Sequence, residues 1–403
     1  MSEASAGEFR LNPKRIIDAY PEYILLALVL FIGLLGIPFA TWVTLTVAGI
    51  GMGLMIFVMA SGMTLTFGLM DVLNLGHGAL ITIGAFLGAT AVTGFETGLW
   101  PLKSLAWLKW APTASAEWAI GALALSLLLA GFAAMLPATR RANAGARYGT
   151  AAALGLLCLL ALYVWTWSGD FVTDIGIIAP AFLLAFIGVG IVGYVFERLI
   201  IRPVYGDPLK QILVTVGAAY IIGELLKALW GADLVPMTKP AVLEGGFTLG
   251  NVTVEKYRLL ATVIGLAIFW LLNRIINKTK VGLLIRAGVE NVEMVEALGY
   301  RIRLLFISVF VAGAALAGVG GVMWGLYQGS VGTGLGAEML ILIIIVIIIG
   351  GKGSIIGCFY GPILVGLLDN YTIYMFPKVA LFSSIGLMVL VLMWRPEGLK
   401  PVK

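Results

Sequence analysis

Apolar stretches that approach or reach the ~20 residues a helix needs to cross a ~30 Å hydrocarbon core recur along this chain. Tyr23 to Phe39, Gly149 to Trp167 and Ile307 to Leu326 are three of them. Lipid offers no hydrogen bonds, so a backbone surrounded by it has to satisfy its own, which segments of this length do as helices. Composition agrees. Hydrophobic residues make up 61% of the chain and charged residues 12%, against about 25% charged in a soluble domain. The expected fold is therefore all-α: a polytopic transmembrane helical bundle.

Hydropathy over windows of about 19 residues predicts about twelve segments, near 22–40, 44–69, 76–93, 118–137, 148–166, 175–196, 210–229, 258–274, 303–327, 337–350, 354–369 and 380–394. A charged leader with Arg10, Lys14 and Arg15 precedes the first. No small-residue cleavage site closes that segment, so it is expected to stay in the mature protein. Placing the N-terminus in the cytoplasm puts 19 of the 26 basic residues in cytoplasmic links and tails, which by the positive-inside rule predicts both termini and the Arg140 to Arg147 turn inside. The net charge of +5 is thus read as orienting the chain in a bilayer, not as a nucleic-acid surface.

Three places interrupt the pattern. The link Met70 to Gly76 carries no Lys or Arg and is too apolar for an aqueous loop, so it is expected to remain in the membrane. The runs 337–350 and 354–369 are short and separated by Gly350-Gly351-Lys352-Gly353, which predicts discontinuous or re-entrant segments. The stretch 94–174 adds two hydrophobic segments, a Trp-rich loop (Trp100, Trp107, Trp110, Trp118) and a basic turn; it is expected to be a hydrophobic hairpin inserted into a single transmembrane domain covering 1–403.

No catalytic constellation is present. The chain has one histidine and two cysteines, and neither a nucleophile–base set nor a metal-ligand spacing. The nearest approach to a phosphate loop has Gly353 after Gly351-Lys352, where a Ser or Thr would hold magnesium, and Val346 at the first glycine position. Neither an enzyme nor a cofactor- or metal-binding protein is expected. Among charges in the spans the clearest pair is Glu224 and Lys227, which can neutralise each other.

Gly313, Ala317, Gly321 and Gly325 recur every four positions, a small-residue face that lets helix backbones approach; ordinary glycine enrichment of membrane helices is the other reading. In the longest basic link, Val292, Val295 and Leu298, with Met294 beside them, make a short apolar stripe. Glu290, Glu293 and Glu296 take the polar face, with Asn291 among them, and Gly299 ends the turn. This segment is either a linker helix on lipid headgroups or a docking helix for a soluble partner. His77 is either a hydrogen-bonded structural residue or a residue lining a solute path.

In this order, Gly62-Met63-Thr64-Leu65-Thr66-Phe67-Gly68, Asn74-Leu75-Gly76-His77-Gly78, Glu197-Arg198 with Arg202-Pro203, Arg286-Ala287 through Glu296-Ala297-Leu298-Gly299, Gly313 to Gly318 and Gly350-Gly351-Lys352-Gly353-Ser354 resemble the permease subunits of bacterial ABC importers for branched-chain amino acids. The resemblance covers nearly everything except the tails and 94–174. It implies a multi-pass protein of the bacterial inner membrane. Its partners would be two ATP-binding subunits on the cytoplasmic face, a second homologous permease or a second copy, and a periplasmic solute-binding protein. It further implies that the 290–299 segment couples to the ATPases. The solute would be a branched-chain or related small amino acid, or an amide, urea or aromatic acid. The competing reading is a stand-alone channel or facilitator for a small polar solute. Broken helices meeting beside a solute path would put Thr64, Thr66, Asn74, His77, Gly78, Gly350, Gly351, Gly353 and Ser354 at the path or its gate, with Asn74 and His77 capping a half-helix.

Overall fold

The computed structural model describes residues 21–70, 72–97, 169–240, 243–250 and 252–400. The chain divides into two compact units, one of residues 1–90, 181–239 and 243–403, the other of 91–180 with 240–242. Among the described residues, the helices are α1 Pro21–Gly36, α2 Phe39–Met70, α3 His77–Thr97, α4 Gly169–Phe196, α5 Pro208–Trp230, α6 Lys256–Lys278, α7 Lys280–Glu290, α8 Val292–Ala297, α9 Ile302–Gln328, α10 Leu335–Gly350, α11 Ile355–Met375 and α12 Ser383–Trp394. Among the described residues, five stretches are long and apolar enough to cross a membrane: 39–68 in α2, 178–204 in α4 and its extension, α5, α6 and α9. α10 and α11 form a further pair bent by 118° at their junction. Ten of the expected segments coincide with α1–α6 and α9–α12. The segments at 118–137 and 148–166, and residues 98–168 of the expected hairpin, lie outside the described residues.

Among the described residues the expected all-α helical bundle is present, with little strand beside it. Two short antiparallel ribbons are present, β1 Val235–Pro236 with β4 Ser330–Val331, and β2 Gly246–Leu249 with β3 Val252–Glu255. Both follow ends of long helices, and the exposed edges of the β2–β3 ribbon suit the aqueous margin, because a lipid-exposed sheet edge would leave backbone groups unpaired.

Helix directions follow from which residues meet. Gly62 of α2 packs on Gly313 of α9, and Met59 on Gly320, so the two helices are antiparallel. α11 meets α2 at Gly53–Ile363 and Gly49–Leu367 and is also antiparallel to it, whereas α6 runs with α2 through Gly51–Arg258 and Gly265–Leu54. α1 runs with α11, Gly33 against Tyr371 and Gly36 against Met375. α2 is the central rod, enclosed by α9, α11 and α6, and the Phe57, Phe269 and Phe359 rings fill the space between α2, α6 and α11 with Phe269 and Phe359 centroids 4.0 Å apart.

α9 is the second buried rod. Its small residues do not serve one partner from one face. Gly313 meets the Gly62 carbonyl of α2, Gly321 the Ile81 carbonyl of α3, Gly318 the Ala185 carbonyl of α4, and Gly325 the Met237 sulfur, while Ala317 is fully enclosed. Without a hydrophobic drive between helices in lipid, such backbone contact supplies the dispersion energy that holds them together.

The two described ends lie together. After α12 the chain runs past the end of α10, where the Leu399 N–H donates to the Ile349 carbonyl at 2.9 Å and the Lys400 N–H to the Gly350 carbonyl at 3.0 Å. Lys400 Nζ then pairs with buried Glu22 Oε1 of α1 at 2.9 Å. Residues 398–400 thus cap carbonyls that a helix C-terminus leaves without partners.

Gly62 should tolerate nothing larger. A Cβ there would overlap the Gly313 carbonyl and stand 3.0 Å from the His77 ring, so Gly62→Val is expected to destabilise the bundle by about 1–3 kcal/mol. Size-exclusion yield and thermal melting in detergent should both fall, and an unchanged melting temperature would contradict this packing.

Candidate functional site

The interruption after α2 is the most informative local structure. Residues 72–76 carry no helix, yet Val72, Asn74 and Gly76 are buried. They return along α2. The Val72 N–H donates to the Thr66 carbonyl at 3.3 Å, and His77 Nε2 bonds the Met59 carbonyl at 3.0 Å. At ~1.5 Å per residue Met59 lies roughly 16 Å back from the end of α2, a distance that six extended residues can cover. α3 therefore begins deep inside the bundle. From there it runs alongside α9 in the same direction, Gly84 on Gly318 and Gly88 on Val322.

A buried non-helical segment needs partners for its N–H groups, and α5 supplies them. The Leu73 N–H donates to Gln211 Oε1 at 3.1 Å and the Leu75 N–H to Thr215 Oγ1 at 3.2 Å. Gln211 and Thr215 lie four apart on one face of α5 and are both buried. Asp207 caps this helix outside the spans, accepting from the Lys210 N–H at 3.2 Å, and its hydrogen bonds with Lys210 hold its carboxyl below the usual range. Asn74 Oδ1 accepts from the Gly76 N–H at 3.0 Å, and its carbonyl takes the His77 N–H at 3.3 Å. Asn74 thus shapes the turn into α3 and does not cap the first helical turn with its side chain; its Nδ2 is buried with no partner among the described residues. The His77 side chain makes no cap, because it bonds across to α2.

The same plan recurs in the second half. α9 is followed by a six-residue link, 329–334, and then by α10, an apolar helix of 16 residues. This link takes backbone partners from β1, with Val235 opposite Val331 and the Met237 N–H donating to the Gly329 carbonyl at 2.9 Å. The second residue of α3, Gly78, packs on the second residue of α10, Gly336, and a Cβ on either would strike the other's carbonyl. From this meeting point α10 runs to the end of α2, where Gly353 lies against Gly68. Two half-helices thus start at one place and run in opposite directions, one from each of two antiparallel long helices. This is an inverted repeat.

Beneath α10 the Gly350 to Ser354 turn makes the bend. Gly351 and Gly353 have φ of 99° and 77°, a region that glycine adopts readily. Ser354 Oγ caps α11 by accepting from the Gly357 N–H at 3.0 Å, and Lys352 Nζ lies 4.5 Å from the Phe67 ring centroid. The Thr64 and Thr66 hydroxyls both donate to α2's own carbonyls, Thr64 to Ala60 at 2.9 Å and Thr66 to Met63 at 3.1 Å. α11, with 21 residues, runs back along α2 as a long helix, so the short member of this pair is α10 alone.

The 290–299 segment is shorter than the sequence pattern suggests. α8 covers only Val292–Ala297, with Glu290 ending α7 and Asn291 capping α8 through a 2.9 Å bond from the Met294 N–H. Gly299 closes it at φ 84°. Of the apolar stripe only Val295 is buried; Met294 is 58% and Leu298 69% exposed. Glu296 pairs with Arg303 at 3.2 Å, and Glu293 is exposed. The larger amphipathic element is α7, which buries Gly282, Ile285 and Gly288.

Residues 144–393 match a family described as branched-chain amino acid transport system / permease component. The chain belongs to this family. Relatives include the high-affinity branched-chain amino acid transport system permease protein BraD of Pseudomonas aeruginosa, 27% identical over 226 residues that cover 54% of this chain and 73% of the relative. LivH permease proteins of Salmonella typhimurium and Escherichia coli are 25% and 24% identical over 233 residues, covering 55% of this chain and 74% of each relative. No solved structure matches the chain.

The family match starts after α3, so within this permease the first half of the inverted repeat rests on geometry. Sequence reasoning missed Gln211 and Thr215, although two polar residues four apart in an otherwise apolar helix are a legible signal. It missed Gly336 as well, for which no local signal exists. Replacing Gln211 with Leu and Thr215 with Val should strand the Leu73 and Leu75 N–H groups, at about 1–3 kcal/mol each. Hydrogen exchange at residues 72–76 is expected to rise in the double variant ahead of exchange in α2; equal protection would show that α5 does not hold the link.

Proposed function

We propose that this permease is the membrane-spanning subunit of an ABC importer that moves branched-chain or related small amino acids into the cytoplasm. ATP would be hydrolysed by two separate subunits. A second permease, a homologue or another copy, and a periplasmic binding protein would complete the assembly in a bacterial inner membrane. The observation that carries the reading is the meeting of α3 and α10 at Gly78 and Gly336 in a chain of this family. Irregular backbone at membrane depth persists where protein or a water-filled cavity surrounds it, and transporters place their solutes at such breaks between inverted repeats. Asn74, His77 and Gly78 would then stand beside the solute path. Thr64 and Thr66 would support it from α2, and Gly350, Gly351, Gly353 and Ser354 would form its cytoplasmic floor.

Two further observations support the assignment of sides. The α2 end, the 350–354 turn, the C-terminal strap and the α7–α8 segment all lie at one end of the bundle, with Arg198, Arg202, Lys210, Arg274, Lys278, Lys280, Arg286, Arg301, Arg303, Lys352, Arg395 and Lys400. This basic end would be cytoplasmic, with both termini. Leu283, Met294, Leu298 and Tyr300 are exposed there beside charged residues, a surface suited to a soluble partner, and Glu290, Asn291, Glu293, Glu296 and Gly299 would frame it.

Replacing Glu293 and Glu296 together with Lys is expected to lower ATP-driven uptake at least tenfold while membrane insertion stays normal, since a docking surface must match its partner in charge. Normal uptake with normal ATPase co-purification would exclude the α8 assignment. In a cysteine-free background, single cysteines at Glu293 and Lys352 should resist an impermeant maleimide applied to intact cells and react after permeabilisation; labelling of either from outside would invert the topology.

A further inference from the structure

The end of the bundle opposite α7 and α8 holds a guanidinium with one edge paired to a carboxylate and the other held only by long hydrogen bonds. Arg258 lies in the first turn of α6, and its side chain is 14% exposed. Its Nε pairs with Glu255 Oε2 at 3.0 Å. The other edge reaches only neutral oxygens at the limit of hydrogen bonding, Nη1 to Asn370 Oδ1 at 3.5 Å and Nη2 to Tyr327 OH at 3.4 Å. The neighbouring acid on α11, Asp369, is engaged by Ser383 of α12. A second donor stands close by. Trp324 Nε1 is buried with no acceptor among the described residues, and its ring packs on Tyr327 with centroids 5.3 Å apart. The guanidinium carbon lies 5.2 Å from the centroid of that same Tyr327 ring. Asn370 also holds its orientation through its own helix, donating from Nδ2 to the Gly366 carbonyl at 2.8 Å.

A buried unpaired donor is costly, and a guanidinium binds a carboxylate best through two parallel N–H bonds from one edge. Here the weakly held edge of an arginine and an unpartnered indole N–H lie at the end of the bundle where α6 begins and α9 and α11 end. A carboxylate would offer both donors a charged acceptor, which a neutral solute lacks. We propose that the Nη edge of Arg258, together with Trp324 Nε1, receives the carboxylate of the solute in place of the weak Asn370 and Tyr327 contacts as it reaches the permease from the side opposite the ATPases. This rests on the amino-acid importer reading and adds to it a receiving group in the membrane subunit itself.

The test uses the purified permease–ATPase complex in nanodiscs, without the binding protein, and reads thermal stabilisation by isovalerate, L-leucine and L-leucinamide. The two carboxylates should stabilise wild type at concentrations at least tenfold lower than leucinamide. Arg258→Gln should abolish that preference and Arg258→Lys retain part of it, because the ammonium keeps the charge and loses the paired geometry. Trp324→Phe, which keeps an aromatic ring and removes the N–H, should weaken carboxylate binding severalfold, read as the shift produced by ligand relative to the same variant without it. If Arg258→Gln fails to fold, the Lys and Phe variants decide. Equal response to leucine and leucinamide in wild type, no response to either, or a carboxylate preference untouched in the variants would overturn the subsite and leave Arg258 as a tie between α6, α9 and α11. ATP-driven leucine uptake by the complete transporter separates the two ideas. Uptake with Arg258-independent binding removes the subsite alone, and Arg258-dependent isovalerate binding without leucine uptake removes the importer reading alone.

Discussion

Inside a hydrocarbon layer no backbone N–H or C=O can turn to water, and the architecture of this permease depends on how that requirement is met away from its long helices. Helices meet it by themselves. The two links of the inverted repeat cannot, and each borrows partners from outside: Gln211 and Thr215 of α5 for 73–75, β1 for 329–331. The strap 398–400 does the same for the C-terminal carbonyls of α10. These devices let two helices begin in the interior, so that a path between them can be lined by backbone and short side chains without exposing unpaired groups to lipid.

Close backbone contact is the second requirement, and it accounts for where the glycines lie. Gly62 on Gly313, Gly78 on Gly336 and Gly68 on Gly353 are contacts between main chains with no room for a methyl group. Each joins elements from different halves of the repeat or closes its floor. His77 depends on the first of these, because the space beside Gly62 is what admits its ring to the Met59 carbonyl. A residue that reads as a lone polar group in the sequence is thus part of the joint between α2 and α3. Under the proposed function this joint, with the α10 start, is the element that solute movement would have to open, while the Arg258 cluster waits at one end and α7 and α8 at the other.

Much of the bundle is legible from hydropathy, because crossing length and apolarity are properties of local sequence. The apolar, cation-free link after α2 correctly marks a segment buried in the protein, and Gly350 to Ser354 marks a bend. The partners of these places are not legible. Gln211 is separated from Leu73 by 138 residues, and nothing local to either names the other. The small-residue period of α9 reads as a face where helix backbones approach, and the helix is indeed enclosed, but which helices its small residues meet, α2, α3 and α4, is not in the period. The apolar stripe of 292–298 reads as a surface for headgroups or a partner, and only the structure shows that Val295 is buried while Met294 and Leu298 are exposed, since a six-residue helix between α7 and α9 takes its orientation from those longer elements.

Sequence alone therefore determined that this chain is a helical membrane protein, where ten of its apolar helices lie, and that 70–76 and 350–353 interrupt the pattern, because each follows from the cost of burying polar groups in lipid segment by segment. Tertiary structure decided that the partner of the 72–76 link in the inverted repeat is 329–334 and not the 350–353 turn, that Gly78 and Gly336 touch at its centre, and that Arg258, Trp324 and Asn370 converge at one end. Those facts concern residues from about 50 to more than 250 positions apart, and their energies exist only once the helices have packed.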